Sequence, residues 1–237
     1  MSRILRPNIA FAGLTAAGKT THTRLLAGQL GYEVVSATAI LLDMLGVRAN
    51  VEKIWFTDYE RIQKAREDDR IDIELERRVR EVAQSQDGLI LDTWAMAYIY
   101  EGPLIRLWIE SDEDSRMRKC YVSQGQEKSL NLSACRQLIH EKDTSVRSQF
   151  VRRLHFDLFT DMSRYDAILN NTALIPEPTD QCSRTGIRTF APVVYDVVCY
   201  LADQALHMNS RESVQSLQAK YGAMVQQVNE KPWSFSA

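Results

Sequence analysis

Residues 13–20 read GLTAAGKT and directly follow a short apolar run, residues 8–12, that predicts a buried β-strand. The pattern GxxxxGK(S/T) between a strand and a helix is typical of a loop that wraps around phosphate groups. Glycines allow the backbone to approach an anion closely, and the start of the following helix directs free N–H groups at it. We therefore expect an α/β fold whose first strand leads into a phosphate-binding loop.

This loop predicts a binding site for the triphosphate of a nucleotide, with ATP and Mg²⁺ as cofactors. Lys19 is expected to reach the β- and γ-phosphates, and the Thr20 hydroxyl is expected to coordinate Mg²⁺. Thr21 either touches the α-phosphate or lies on the helix surface. The residues predicted to contact the nucleotide are Gly13, Ala16, Ala17, Gly18, Lys19, Thr20 and Thr21.

Strand-like and helix-like segments alternate along the rest of the chain, which favours a mainly parallel sheet with helices on both faces. Strands are predicted at residues 8–12, 32–36, 89–92, 104–109 and 165–170. Helices are predicted at residues 18–30, 38–45, 59–86, 191–208 and 211–229, with one or two helices at 132–159 and a further helix starting at Ser111 or Asp112. Residues 175–189 contain two prolines, Gly186 and many polar residues, and this composition predicts a loop.

Charged residues on these predicted strands and helices are the candidates for the remaining catalytic groups. Asp92 ends an apolar strand, where a carboxylate is expected to hold Mg²⁺ directly or through water. Arg116 and Arg147 are expected to stabilise the charge of a transferring phosphoryl group, although a solvated helix face is the ordinary alternative for such residues. Arg152 and Arg153 are expected on the surface.

Composition restricts the partners of the chain. The 237 residues carry a formal net charge of -2, so no overall positive field attracts nucleic acid or an anionic membrane. The longest apolar stretch near the C-terminus, residues 191–205, is too short and too polar to span a bilayer. The four cysteines form no CxxC pair, which argues against a zinc site. A soluble, cytoplasmic protein with a small-molecule substrate is expected.

Taken together, these segments resemble the nucleoside monophosphate kinases, and most of all the cytidylate kinases, over roughly residues 8 to 172. Besides the phosphate loop, the resemblance rests on segments that occur in the family's order: SAT at 36–38, LDTW at 91–94, IES at 109–111 with Arg116 and Lys119, EKD at 141–143 with Arg147, and YDAILNNT at 165–172. Each segment other than the loop is weak alone, and their order carries the resemblance.

The resemblance implies a three-layer kinase fold with a helical lid and C-terminal helices. Residues 1–190 would form the core with acceptor-binding and lid insertions, and residues 191–237 a helical extension packed on it. The implied catalytic residues are Lys19, Asp92, Arg116 and Arg147. The implied acceptor-binding residues are Ser36, Thr38, Asp92, Trp94 and Lys142, and the implied metal ligands are Thr20 and Asp92.

The departures from the family concern the acceptor site and the lid. Trp94 stands where cytidylate kinases have an arginine that binds the acceptor phosphate, and a lid arginine is replaced by Lys142. The arginine at the end of the first acceptor helix is Leu42 or Asp43 here. A monophosphate dianion needs fixed cations, so the acceptor is expected to be an unusual nucleotide or a molecule without that phosphate.

Three hypotheses for the function follow. The first is an ATP-dependent kinase for a nucleoside monophosphate, CMP or dCMP in particular, or a related metabolite. The second is a P-loop kinase for a nucleoside or another small alcohol, which Trp94 and the missing arginines favour. The third is a nucleotide-binding regulatory protein without acceptor chemistry, which the retained Lys19, Asp92, Arg116 and Arg147 argue against.

Overall fold

The computed structural model describes residues 6–47, 59–125, 130–157 and 159–229. Within these residues the chain forms a six-stranded sheet of order β2-β3-β1-β4-β5-β6. Its strands are β1 (Asn8–Gly13), β2 (Glu33–Ser36), β3 (Leu89–Asp92), β4 (Leu104–Glu110), β5 (Ala167–Asn170) and β6 (Val225–Val228). Strands β1 to β5 pair in parallel, and β6 pairs antiparallel with β5. The predicted α/β class with a mainly parallel sheet is confirmed.

Helices cover both faces of this sheet. They are α1 (Lys19–Leu30), α2 (Ala37–Met44), α3 (Tyr59–Ala65), α4 (Asp69–Ser85), α5 (Met96–Ile99), α6 (Glu113–Cys120), α7 (Leu132–Leu154), α8 (Asp180–Ala205) and α9 (Val214–Tyr221). A π-helical turn follows α6 at Tyr121–Gly125, and 3₁₀ turns occur at Thr172–Leu174 and Gly222–Met224.

The alternation of side chains along β1 explains why the sheet is covered twice. Ile9 and Phe11 pack in one apolar cluster, which contains residues of α1 and α8. Ala10 lies in a second cluster, with residues of α2 and α4. Since successive side chains of a strand point to opposite faces, these clusters are two cores on either side of one sheet. The fold therefore has three layers.

The prediction of a loop at residues 175–189 is wrong for the second half of this segment, because α8 begins at Asp180. The Thr179 side chain accepts the N–H of Cys182 and caps this helix. Gly186 lies inside α8, where an added Cβ would stand 2.7 Å from the carbonyl oxygen of Leu174. The glycine reflects close packing of α8 against residues 172–175 and not a turn.

The end of the chain also differs from the prediction of a helix over residues 211–229. Helix α9 stops at Tyr221, Gly222 has a φ of 56°, and β6 then adds an antiparallel strand at the edge of the sheet. The predicted helix at 59–86 is divided into α3 and α4, because Asp68 caps a new helix start. The predicted helix start at Ser111 or Asp112 is confirmed, with Asp112 as the cap of α6.

The predicted boundary after residue 190 falls within α8. Phe190 and Val194, on either side of it, pack in the same apolar cluster as β1. The division into residues 1–190 and 191–237 stays a prediction, and the parts of both segments in the gaps and at the termini lie outside the described residues. No helix in the described ranges is long and apolar enough to cross a membrane.

Candidate active site

The phosphate loop connects β1 to α1 and depends on two glycines. Gly13 has a φ of 150°, and an added Cβ would stand 2.6 Å from the carbonyl oxygen of Ile109 on β4. Gly18 has a φ of 98° and precedes the first residue of α1. Both φ values disfavour ordinary side chains, and the loop between these glycines leads into the N-terminus of α1. This is the geometry that binds an anion.

Lys19 lies over the loop that it follows. Its Nζ donates hydrogen bonds to the carbonyl oxygens of Gly13, at 2.8 Å, and of Leu14, at 2.9 Å. The Nζ also stands 5.1 Å from the centre of the Trp94 ring. Burial lowers the pKa of Lys19 to about 8, against the opposing effects of Asp92 and Asp143. The ammonium is thus held among backbone carbonyls, in a place where an anion would stabilise its charge.

Thr20, in the first turn of α1, and Asp92, at the end of β3, come together. The Thr20 hydroxyl donates a 2.7 Å hydrogen bond to Oδ2 of Asp92 at the end of β3. A hydroxyl and a carboxylate are hard oxygen ligands of the kind that Mg²⁺ prefers. Within the described residues, no group of three or more His, Cys, Asp or Glu side chains could hold a metal. A Mg²⁺ ion here would need phosphate oxygens and water as its other ligands.

Arg116 contacts the loop from α6 and is 6% exposed. Its Nη1 donates to the carbonyl oxygen of Thr15, at 3.1 Å, and to Oδ2 of Asp143, at 2.5 Å. Oδ1 of Asp143 accepts the backbone N–H of Thr15 at 2.9 Å. Asp143 lies on α7, so this network joins the loop to α6 and α7.

A second link to the loop was not anticipated from the sequence. The Asn171 side chain donates to the carbonyl oxygen of Ala17, at 2.9 Å, and accepts a hydrogen bond from Lys119. Lys119 also donates to Ser111 at 2.7 Å, and burial lowers its pKa to about 7. Lys119 and Asn171 both lie in segments that carry the family resemblance, and Lys119 also follows Arg116 on a helix predicted to be basic.

Lys142 lies beside Lys19. Burial, followed by the charge of Lys19, lowers the pKa of Lys142 to about 7. Since an unfolded lysine has a pKa near 10.5, folding disfavours the charged form of Lys142. This penalty is complete at or below the folded pKa and disappears as the pH rises towards the unfolded pKa.

Lys142→Met is therefore expected to raise the melting temperature at pH 7 by roughly 2–4 °C or more, because it keeps the aliphatic chain and removes the charge. The gain should shrink as the pH rises from 7 towards 10, because the folded lysine is then already neutral and the unfolded lysine progressively loses its proton as well. Thermal unfolding of both proteins across this range measures the effect. A gain that grows with pH would contradict the charge penalty.

Two cavities meet at the phosphate loop. The first, here the α8 cavity, extends from Gly18 and Thr21 past Lys119 and Asn171 to Phe190 on α8. The second, here the α4 cavity, extends from Trp94 to Leu75 and Val79 on α4 and to Val146 and Phe150 on α7. Both are lined by Thr15, Ala16, Lys19, Thr20, Thr38, Asp92 and Lys142. The predicted catalytic lysine and metal ligands thus lie where the two cavities join.

The structure separates the predicted acceptor residues. Trp94 lines the α4 cavity and packs edge-on against Phe159, with ring centres 6.1 Å apart. Thr38 lines both cavities, but Ser36 lines only the α8 cavity and caps α2 by accepting the N–H of Ala39. Trp94 and Thr38 thus lie at the cavities and their acceptor-binding role stays a prediction, while the capping contact of Ser36 explains that residue locally.

The far end of the α4 cavity carries an ionic cluster that was missed. Asp72, which is 2% exposed, accepts a 2.8 Å hydrogen bond from Nε of Arg66 and lies 3.7 Å from Nη1 of Arg153. Arg153 also donates to Glu76 at 2.8 Å. The predicted surface position of Arg153 is wrong, because these carboxylates on α4 bury its side chain to 6% exposure. Arg152 is exposed, as predicted.

Arg147 is not brought to the site. Its side chain is half exposed, pairs with Asp157, and has its guanidinium carbon 6.0 Å from the centre of the Phe159 ring. Neither cavity is lined by Arg147. Its predicted role stays a prediction, and contact with a phosphoryl group would require α7 to move.

Comparison with known proteins places these features in context. A model of the cytidylate kinase-like family matches residues 8–173. The cytidylate kinase of Natronomonas pharaonis is 27% identical over 185 residues, covering 78% of this chain and 91% of that protein. The cytidylate kinase of Methanobrevibacter smithii is 29% identical over 180 residues, covering 76% of this chain and 98% of that protein. Among solved structures, an uncharacterized protein from Eubacterium ventriosum has a TM-score of 0.54 at 12% identity, covering 80% of this chain and 96% of that one, a likeness of fold alone.

Proposed function

Because this chain belongs to the cytidylate kinase-like family, we propose that it transfers the γ-phosphate of ATP to a nucleoside monophosphate, such as CMP or dCMP, or to a related small molecule. The family makes the chain a nucleoside monophosphate kinase-like phosphotransferase.

The observation that carries the proposal is the junction of the cavities at Lys19, Thr20 and Asp92. Phosphoryl transfer needs a donor and an acceptor that approach each other in line across one phosphorus atom. The α8 cavity begins at the phosphate loop, so it suits the donor nucleotide. The α4 cavity opens on the same loop from the other side and suits the acceptor.

On the donor side, we assign the anion-binding geometry of the loop to the ATP phosphates, with Gly13, Ala16, Ala17, Gly18 and Thr21 as its predicted contacts. Lys19 would exchange its two backbone carbonyl partners for phosphate oxygens. Thr20 and Asp92 would hold Mg²⁺, which neutralises charge on the phosphates. Arg116, fixed against the loop, would supply a further positive charge near the transferring group.

On the acceptor side, Thr38 and Lys142 line the junction, and Trp94 offers an aromatic face beside Lys19. A pyrimidine base could stack on this ring. Arg66 is a positively charged residue that lines the α4 cavity, and none of the segments that resemble the family contains it. Its guanidinium is the candidate replacement for the arginine that Trp94 displaces.

A specific observation also favours the second candidate, a kinase for a nucleoside or other small alcohol. Among the described residues, the charged side chains lining the α4 cavity are Lys19, Arg66, Lys142, Asp72, Glu76 and Asp92. Three positive and three negative groups leave the cavity without a formal excess charge. A dianionic monophosphate gains less electrostatic stabilisation in this cavity than in a site with several unpaired arginines. A neutral alcohol does not depend on that stabilisation.

A coupled assay of ADP release, run with ATP and a panel of acceptors, tests the proposal. CMP and dCMP are expected to stimulate release above the rate without acceptor. Stimulation by cytidine or other alcohols, but not by monophosphates, would support the second candidate. ATP turnover that no acceptor changes would contradict both.

Trp94→Ala is expected to raise the KM of the preferred acceptor by about tenfold, because stacking on an aromatic side chain contributes roughly 1–3 kcal/mol per base. ATP binding should remain unchanged. Trp94→Phe keeps an aromatic face and serves as the matched control. A folded Trp94→Ala protein with a normal acceptor KM would show that the ring only packs against Phe159.

A further inference from the structure

Asp143 places a carboxylate directly on the phosphate loop. One oxygen accepts the backbone N–H of Thr15 at 2.9 Å, and the other accepts a hydrogen bond from Arg116 at 2.5 Å. The Asp143 charge also acts on Lys19 and on Lys142, raising the pKa of each against the effect of burial. A backbone N–H and a guanidinium therefore hold one carboxylate, and two lysine side chains lie near enough to be affected by its charge.

These surroundings are the ones that bind phosphate oxygens. Loop N–H groups and an arginine are the usual partners of a nucleotide phosphate, and a carboxylate is an anion of similar hydrogen-bonding capacity. Thr15 lines both cavities, so the loop residue that holds the carboxylate stands on the side of the loop where donor and acceptor would meet. In a transfer reaction, that is the side of the terminal phosphate.

We propose that Asp143 is a specificity-determining residue: its carboxylate competes with the terminal phosphate of the donor for Thr15, Arg116 and the neighbouring lysines. The inference rests on the proposed function in one respect, that the loop binds a nucleoside triphosphate. When that ligand binds, Asp143 must leave its partners, and α7, which carries it, must shift.

The competition acts differently on donors of different length. A nucleoside triphosphate reaches the junction of the two cavities and has to displace the Asp143 carboxylate. A nucleoside diphosphate is one phosphate shorter and can bind with Asp143 in place. Asp143 thus weakens ATP relative to ADP. It also keeps Arg116 neutralised until a ligand long enough for transfer is bound, which opposes unproductive occupation of the junction by small anions.

Asp143→Asn tests the inference, because the amide has the shape of the carboxylate but no charge. Binding is measured by calorimetric titration without acceptor, in the presence of Mg²⁺. The Asp143→Asn variant should bind the β,γ-imido analogue of ATP about tenfold more tightly than the wild-type protein does, a change in binding free energy of roughly 1.4 kcal/mol. The affinity for ADP should change by less than about twofold. Equal tightening of both nucleotides, or unchanged or weaker binding of the ATP analogue, would overturn the proposal.

Asp114→Asn is the matched control, since Asp114 on α6 also pairs with an arginine of α7, Arg136, but contacts no phosphate-loop residue among those described. It should leave both affinities unchanged. If Asp143→Asn does not fold, Asp143→Ser provides the same test with a smaller neutral side chain. Binding is measured without acceptor, so failure to phosphorylate CMP would contradict the proposed function while leaving this result intact.

Discussion

Lys19→Ala is expected to lower the rate of phosphoryl transfer by at least about a hundredfold, by comparison with the loss of one preorganised charge-stabilising donor from other enzymes. Lys19 Nζ stands over the loop, where it can bind the β- and γ-phosphates as their charge rearranges. Single-turnover rates at saturating ATP and acceptor measure the effect on the chemical step.

The variant should remain folded. The Lys19 ammonium group lies among backbone carbonyls and not in an apolar cluster, so its removal takes no apolar group from the core. Burial also disfavours its charge, so the folded state loses no favourable charge by the substitution. Lys220→Ala, at an exposed lysine of α9 that pairs with Asp196, is a suitable control and should retain full activity. Substantial turnover in folded Lys19→Ala would contradict the phosphate-loop mechanism.

The phosphate loop was predictable because its geometry follows from local sequence. Gly13 and Gly18 occupy positive φ values that few other residues adopt, and Lys19 and Thr20 follow at fixed spacing. Asp92 was predictable for a related reason, since it ends a strand that pairs with β1. The ends of parallel strands meet at one edge, so the chain order alone brings Thr20 and Asp92 together.

Contacts between helices distant in the sequence were not predictable in the same way. Whether Arg153 is exposed depends on α4, which presents Asp72 and Glu76 about 80 residues earlier in the chain. Gly186 looks like a loop residue until the carbonyl of Leu174 is seen to leave no room for a Cβ. The position of Arg147 depends on the orientation of α7, which the residue types do not determine.

The same distinction explains why the acceptor is harder to infer than the donor. The phosphate-binding part of the proposed donor site is one continuous segment, and its hydrogen bonds come largely from the backbone. The α4 cavity is assembled from α2, α3, α4, α5 and α7 and from the end of β3. The charge at its far end depends on the pairing of Arg66 and Arg153 with the carboxylates of α4, and no motif records that pairing.

Asp92→Asn is expected to raise the Mg²⁺ concentration needed for half-maximal activity by about 10- to 100-fold, the range found when a group that supports a bound metal is removed. The amide oxygen can still accept the hydrogen bond that the Thr20 hydroxyl now donates to Asp92, so the strand end should keep its shape. The loss is then one of charge at the metal, which a higher concentration of Mg²⁺ or Mn²⁺ can offset.

Titration of activity with Mg²⁺, at fixed ATP and acceptor, separates this role from a structural one. Asp43→Asn, at an exposed carboxylate of α2, is the control and should leave the Mg²⁺ dependence unchanged. A structural defect in Asp92→Asn would lower the activity at every Mg²⁺ concentration, and added metal would not restore it. An unaltered Mg²⁺ dependence would remove Asp92 from the metal site, and full activity of the wild-type protein in excess EDTA would remove the metal from the mechanism.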